Sequence, residues 1–183
     1  MTAVEDADHP LAARISGLLR DVADFPEPGI LFKDISPLLA DRGAFAAVVR
    51  ALAEAAGESG DVDVVAGVEA RGFLVAGALA CQLGCGVVPV RKAGKLPPPT
   101  LRRSYELEYG SADIEVPTHV LDGARVLLVD DVLATGGTLR AAAGLIADAG
   151  GTVSAMSVII ELGFLSGRKV LEGIAPLQAL LRL

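Results

Sequence analysis

Two adjacent carboxylates, Asp130 and Asp131, stand just before a run of small residues, Ala134-Thr135-Gly136-Gly137-Thr138. Glycine lets backbone amides approach a ligand closely, and the threonine hydroxyls add donors to the same concavity. If a helix opens at this run, its first amides point outward with partial positive charge and cradle an anion such as phosphate. Carboxylates beside a phosphate repel it unless they hold something else. A ribose diol answers that need by donating to them, and so does a bound cation. The combination predicts a sugar phosphate. A Walker loop is excluded, because Thr138-Leu139-Arg140 follows Gly137 where Lys-Ser/Thr would stand. No Gly-x-Gly-x-x-Gly opens a helix after a strand either.

The flanking sequence supplies elements to position this chemistry. Val126 to Val129 is an unbroken apolar run, as in a strand buried on both faces, and the aspartates follow where it should leave the sheet. Leu139 to Ala149 is helix-compatible and stops at Gly150 and Gly151. Val62 to Val68 predicts a second buried strand, with Glu69-Ala70-Arg71-Gly72 at its carboxyl end, where open parallel sheets bind ligands. The rigid fork of Arg71 suits a phosphate there. Gly72 to Leu83 predicts a helix and Val87 to Val90 a strand.

Arg91, Lys92 and Lys95 leave that strand as three cations within five residues of an acidic chain. They make either a solvated basic loop or counter-charge for a pyrophosphate. Arg102 to Glu108 and Asp113 to Val116 predict a hairpin around Tyr109-Gly110-Ser111. With Tyr105, Glu108 and Tyr109 on it, the stretch from roughly residue 91 to 116 is placed to act as a flexible lid. Val153 to Ile160 is a further strand, Ser166 to Gly173 a short helix, and Leu177 to Leu183 an edge strand or docked tail.

At the other end, helical spacing of Leu11, Ile15, Leu18, Leu19 and Val22 predicts an amphipathic helix from Pro10 to Val22. The Pro- and Gly-punctuated stretch from roughly residue 24 to 40 is apolar for a loop. It is either a packed crossover or a hood that sets Leu31 and Phe32 against a flat apolar ligand, with Lys33 and main-chain groups as polar contacts. A helix through Phe45, Val48, Val49 and Leu52 ends near Gly57.

The whole predicts one α/β domain over residues 1–183, an open, twisted, mostly parallel sheet flanked by helices. No internal repeat, low-complexity segment or linker interrupts it. Apolar residues form 52% of the chain, which disfavours disorder, and the net charge of −7 disfavours general nucleic-acid binding. No apolar run reaches membrane-spanning length, and residues 1–9 lack the apolar region of a signal peptide, so a cytoplasmic setting is expected. Cys81 and Cys85, at i and i+4, are expected on one helix face as core filler. With only His9 and His119 beside them, a zinc site is not expected.

Four stretches together resemble the adenine phosphoribosyltransferase family, within the type I phosphoribosyltransferases. They are Phe25 to Ile35 (Phe-Pro-Glu-Pro-Gly-Ile-Leu-Phe-Lys-Asp-Ile), Glu69 to Phe73, Val90 to Pro97 with Ser104 to Gly110, and the Asp-Asp to Thr138 motif. The phosphate loop carries the wider resemblance to enzymes that use phosphoribosyl pyrophosphate (PRPP). The Pro-rich hood and Ser-Tyr-Glu-Leu-Glu-Tyr-Gly carry the resemblance to the adenine branch.

The resemblance implies the type I phosphoribosyltransferase fold and transfer of 5-phosphoribosyl from PRPP to adenine, giving AMP and pyrophosphate, with Mg²⁺ bound by the substrates. It implies a homodimer, and the acidic charge and the lack of a membrane-length apolar run lead us to expect no nucleic-acid or membrane partner. Ala134, Thr135, Gly136, Gly137 and Thr138 would hold the 5′-phosphate, and Asp130 and Asp131 the ribose hydroxyls. Arg71, Arg91, Lys92 and Lys95 would meet the pyrophosphate. Leu31, through its backbone, and Lys33 would recognise adenine over the Phe32 platform. Glu108 would act as general acid near N7, with Tyr105 or Tyr109 closing the site, and the Glu69–Ala70 bond would be cis. Many relatives have Arg where this chain has Lys33, and a point charge does not reproduce a bidentate fork. Two rivals remain: an enzyme for 6-oxopurines, and a PRPP-sensing regulator, which would need a basic DNA-binding module that this acidic chain lacks.

Overall fold

The structure, a computed structural model, describes residues 10–58, 60–107 and 110–183, with residues 106, 107, 110 and 111 described by backbone alone. Glu108 and Tyr109 therefore lie outside the described residues. A short helix, α1 (Pro10–Gly17), leads into a two-stranded antiparallel hairpin, β1 (Arg20–Ala23) and β2 (Leu31–Asp34). The helix is shorter than the apolar spacing predicts. Val22 keeps that spacing but pairs with Phe32 across the hairpin, so tertiary pairing overrides the helical pattern. The hood accordingly has a strand pair at its base and is not an irregular loop. Ser36, next to β2, fixes Asp34 by donating its amide at 2.9 Å and its hydroxyl at 2.6 Å.

Helices α2 (Ser36–Ala40) and α3 (Arg42–Glu58) follow, then β3 (Val64–Val68), α4 (Gly72–Leu83) and β4 (Gly86–Lys92). A long hairpin, β5 (Thr100–Leu107) and β6 (Gly110–Pro117), precedes β7 (Arg125–Leu133), α5 (Gly137–Asp148) and β8 (Thr152–Glu161). A short helix, α6 (Gly167–Val170), and the strand β9 (Leu177–Arg182) close the chain. The seven-stranded sheet runs β5-β6-β4-β3-β7-β8-β9. Its five strands from β4 to β9 are mutually parallel, while β6 joins β4 antiparallel and β5 joins β6 antiparallel.

Alternation along the central strands divides the core between the two faces of the sheet. Val65, Leu127 and Val129 pack with Ile15, Val48, Leu52, Val75 and Leu79 from α1, α3 and α4. Val64, Ala66, Val68, Val126 and Leu128 pack with Leu139, Leu145 and Ile146 of α5 and with Ile114 and Val116 of the hairpin. Leu127 and Leu128 are fully enclosed, each worth about 1.5–3 kcal/mol relative to exposure. Helix α4 lies unusually close to β3, because a Cβ on Gly67 would stand 2.6 Å from the Ala76 Cβ. The cysteines depart from expectation. Gly84 ends α4 in the left-handed region at φ 70, so Cys85 lies beyond the helix, though it still packs against the core as expected, and Cys81 is exposed and not part of it. No helix among the described residues is long and apolar enough to cross a membrane.

Candidate active site at the carboxyl edge of the sheet

Parallel strands deliver their carboxyl ends to one edge, and β3, β4, β7 and β8 bring the candidate residues together there. Strand β7 continues past Val129 to Leu133, because its pairing with β8 extends to Leu133 opposite Glu161. Asp130 and Asp131 thus sit within the strand, not beyond it. Gly136 turns the chain at φ 83 and α5 opens at Gly137 with no side chain capping it, which leaves its first-turn amides to an anion. The Thr138 hydroxyl donates to the Tyr105 hydroxyl at 3.2 Å.

Asp131 is 5% exposed, and Arg71 Nε lies 2.8 Å from its Oδ2. The two are not aligned for a hydrogen bond, so that buried oxygen has no donor among the described residues. Asp130 Oδ1 accepts from the Asp131 amide at 2.9 Å. Burial pushes the Asp130 carboxyl well up from its ordinary value, and the neighbouring Asp131 charge adds to the rise. No cluster of three or more His, Cys, Asp or Glu among the described residues could cage a metal ion. Two carboxylates, one with an unsatisfied oxygen, instead suit a diol or a hard cation that arrives on phosphate oxygens.

The basic loop is organised by two glutamates. Glu69 accepts from the Lys92 amide at 2.9 Å and from the Lys95 ammonium, with Arg91 Nε 3.5 Å away. Burial pushes the Glu69 carboxyl up, but the Lys95 and Lys92 hydrogen bonds and the nearby cations outweigh it and hold the group below its usual value. Glu115, 2% exposed, accepts the Lys95 and Leu96 amides, both at 2.8 Å. Arg91 Nη1 donates to Lys95 O at 3.1 Å, and its guanidinium lies 5.9 Å from the Phe73 ring centroid. The Glu69–Ala70 bond is cis, as the resemblance implies.

Above this edge stands the hood. Phe32 meets Phe25 edge-on with ring centroids 5.0 Å apart, and the Arg71 guanidinium covers the Phe32 ring at 4.9 Å. Lys33 Nζ is held by Asp21 Oδ1 at 2.6 Å across the hairpin. The hood, the carboxylates and the small-residue turn into α5 line one cavity of about 610 Å³, within the range of small-ligand sites.

The phosphoribosyl transferase domain family matches residues 37–163 of the chain. An adenine phosphoribosyltransferase from Streptomyces coelicolor is 60% identical over 167 residues, which cover 89% of this chain and 91% of that one. The chain belongs to the adenine phosphoribosyltransferase family. Among solved members of this family, the Thermoanaerobacter pseudethanolicus enzyme superposes with a TM-score of 0.89 at 46% identity, covering 94% of this chain and 99% of its own. The Saccharomyces cerevisiae enzyme, solved with an imino-altritol bisphosphate and adenine, gives 0.86 at 37% identity, covering 93% and 98%.

In this family member the cavity wall contains Leu31, Phe32, Lys33, Arg71, Lys92, Tyr105, Asp130, Asp131, Ala134, Thr135 and Thr138. Gly136 and Gly137 form the turn into α5 behind that wall. Arg91 and Lys95 are not in the wall; they are engaged with Glu69. Sequence reasoning missed Glu69 and Glu115 as organisers of the basic loop, and Leu162 and Leu165 as apolar wall. Their one signal is position: Glu69 and Leu162 each follow a strand that ends at this edge.

Proposed function

We propose that this cavity takes PRPP and adenine and returns AMP and pyrophosphate, a purine-salvage transfer. The observation that carries the reading is the juxtaposition, in one cavity, of the Asp130–Asp131 pair, the small-residue turn into α5 and the aromatic hood. The amides and hydroxyls of residues 134–138 bind the 5′-phosphate, and the two aspartates accept from the ribose hydroxyls. Arg71 and Lys92 face the pyrophosphate in the cavity. Arg91 and Lys95 join them once their contacts with Glu69 are exchanged for phosphate oxygens. The Leu31 backbone and Lys33 hold adenine against Phe32.

The adenine N9 lone pair forms a bond to C1′ of the ribose as the C1′–oxygen bond breaks, and its electron pair leaves on pyrophosphate. Positive charge builds on the ribose ring, and Asp130 and Asp131 stabilise it at close range. Glu108 serves as general acid at N7 when AMP is split, and by microscopic reversibility the same carboxylate takes that proton when AMP forms. Tyr105 and Tyr109 keep water from the reactive centre. Mg²⁺ brought by the substrates would supply charge neutralisation on the phosphates, and the Asp131 oxygen without a donor would suit it as a ligand.

The two free cysteines support a reducing, cytoplasmic setting. The test is direct: incubate the protein with PRPP, Mg²⁺ and each of adenine, guanine, hypoxanthine and xanthine. AMP as the dominant product supports the reading. IMP, GMP or XMP formed faster than AMP overturns the choice of base, and no product overturns the activity.

A further inference from the structure

Beneath the phosphate loop lies a buried carboxylate that the proposed reaction does not use. Glu161 ends β8 with 1% of its surface exposed, and a buried charge is stable only when it is well paired. Arg168 pairs it with a full fork. Its Nε lies 3.2 Å from Oε1 and 3.0 Å from Oε2, and its Nη2 2.6 Å from Oε2. The remaining arm, Nη1, donates to the Leu177 carbonyl at 3.0 Å, at the start of β9. Arg182 stands farther off, with Nε 3.7 Å from Glu161 Oε1. Residue 168 is thereby tied to two strands of the sheet.

The preceding residue, Gly167, touches the phosphate loop backbone to backbone. A Cβ built on Gly167 would collide with the Ala134 carbonyl and lie 3.0 Å from the Gly136 nitrogen. Conversely, a Cβ on Gly136 would lie 2.5 Å from the Gly167 carbonyl oxygen. The loop thus has a floor, and the next residue in the chain is the one that Glu161 holds.

We propose that Glu161, acting through Arg168 and Gly167, is a positioning residue for the 5′-phosphate loop. It sets the loop amides at the height a phosphate needs, from outside the cavity and without touching the substrate. This rests on the reading of residues 134–138 as the phosphate site. An amide nest binds by the alignment of several donors at once, so a small shift of its floor weakens all of them together.

The test is calorimetric titration of the full chain with ribose 5-phosphate and, separately, with adenine, alongside steady-state kinetics. Glu161→Gln and Gly167→Ala are expected to weaken ribose 5-phosphate roughly tenfold or more. They should raise KM for PRPP in parallel, while kcat at saturation and adenine affinity stay within about twofold. Arg168→Lys keeps the charge and loses the fork, so it should fall between wild type and Arg168→Met. If Glu161→Gln does not fold, Gly167→Ala and the Arg168 pair give the same readout with the carboxylate intact. Unchanged ribose 5-phosphate affinity overturns the proposal. So does a matching loss of adenine affinity, which would mark general loosening of the fold. A wild-type protein that binds no ribose 5-phosphate overturns the phosphate reading itself, and this inference with it.

Discussion

The Thr138 hydroxyl donates to the Tyr105 hydroxyl at 3.2 Å, which joins the β5–β6 hairpin directly to the first turn of α5. A half-buried neutral hydrogen bond contributes about 1 kcal/mol net. Tyr105→Phe is therefore expected to lower unfolding free energy by about that amount in urea titration. A phosphate in the loop competes for the same Thr138 hydroxyl, so PRPP affinity should hold or tighten in this variant. Calorimetry showing weakened PRPP binding would mean that the Tyr105 hydroxyl contacts substrate itself.

Asp130 makes a prediction of opposite sign for stability and for function. Its folded carboxyl is raised by burial and by the Asp131 charge. Stability is therefore fully present below the ordinary carboxylate value and is lost as pH rises through the raised folded value. Asp130→Asn should be more stable than wild type at neutral pH, with the advantage shrinking as pH falls through that window. PRPP use should nevertheless fail in the variant, because Asn replaces an acceptor-only group. Urea unfolding across pH checks the first statement, and an advantage that does not vary with pH contradicts it; PRPP calorimetry checks the second, and intact affinity contradicts it.

Glu69 titrates the other way. Its folded carboxyl is lowered by the Lys95 and Lys92 hydrogen bonds against the opposing effect of burial. The stability it contributes is present above the ordinary glutamate value and lost as pH falls through the lowered folded value. Glu69→Gln should be less stable than wild type at neutral pH and equal to it in strong acid. Glu69→Gln releases Arg91 and Lys95 but weakens the hold on the Lys92 amide that shapes the basic loop; loss of shape is expected to outweigh the release, so KM for PRPP should rise while KM for adenine changes little. A larger effect on adenine would move Glu69 to the base side of the cavity.

Glu108 falls outside the described residues, and its proposed part in the reaction has a kinetic signature of its own. Removing an acid–base group costs about 10²- to 10⁴-fold in turnover. Glu108→Ala should lose kcat on that scale and keep its PRPP affinity. Steady-state rates equal to wild type would remove Glu108 from the mechanism.

The elements most legible in the sequence are those specified by local pattern. The strands expected at Val62–Val68 and Val126–Val129 form, the first beginning at Val64, and the small-residue turn opens α5 as its composition implies. Pattern failed where distant partners decide. Val22 continues a helical spacing yet joins a strand, because Phe32 offers it a ladder. Cys85 falls at helical spacing from Cys81, but Gly84 ends the helix between them. Within the site, residue types singled out the aspartate pair, the small-residue turn and the apolar hood, and the fold brings these three to one cavity. The capture of Arg91 and Lys95 by Glu69 was not legible, since the ion pairs span more than twenty residues and depend on how β3 and β4 align.

The hairpin that carries Tyr105 is continuous with the main sheet. It extends the main sheet, with β6 zipped to β4 through Arg91 opposite Glu115 and Lys92 opposite Ile114. Its two strands stay in unbroken register from Thr100 opposite Pro117 out to Leu107 opposite Gly110. The scaffold thus offers a modular grafting point. A segment transplanted between Leu107 and Gly110 inherits two strands already held in register with each other, so the tip can be exchanged while the parallel strands that carry Asp130 and Asp131 stay as they are.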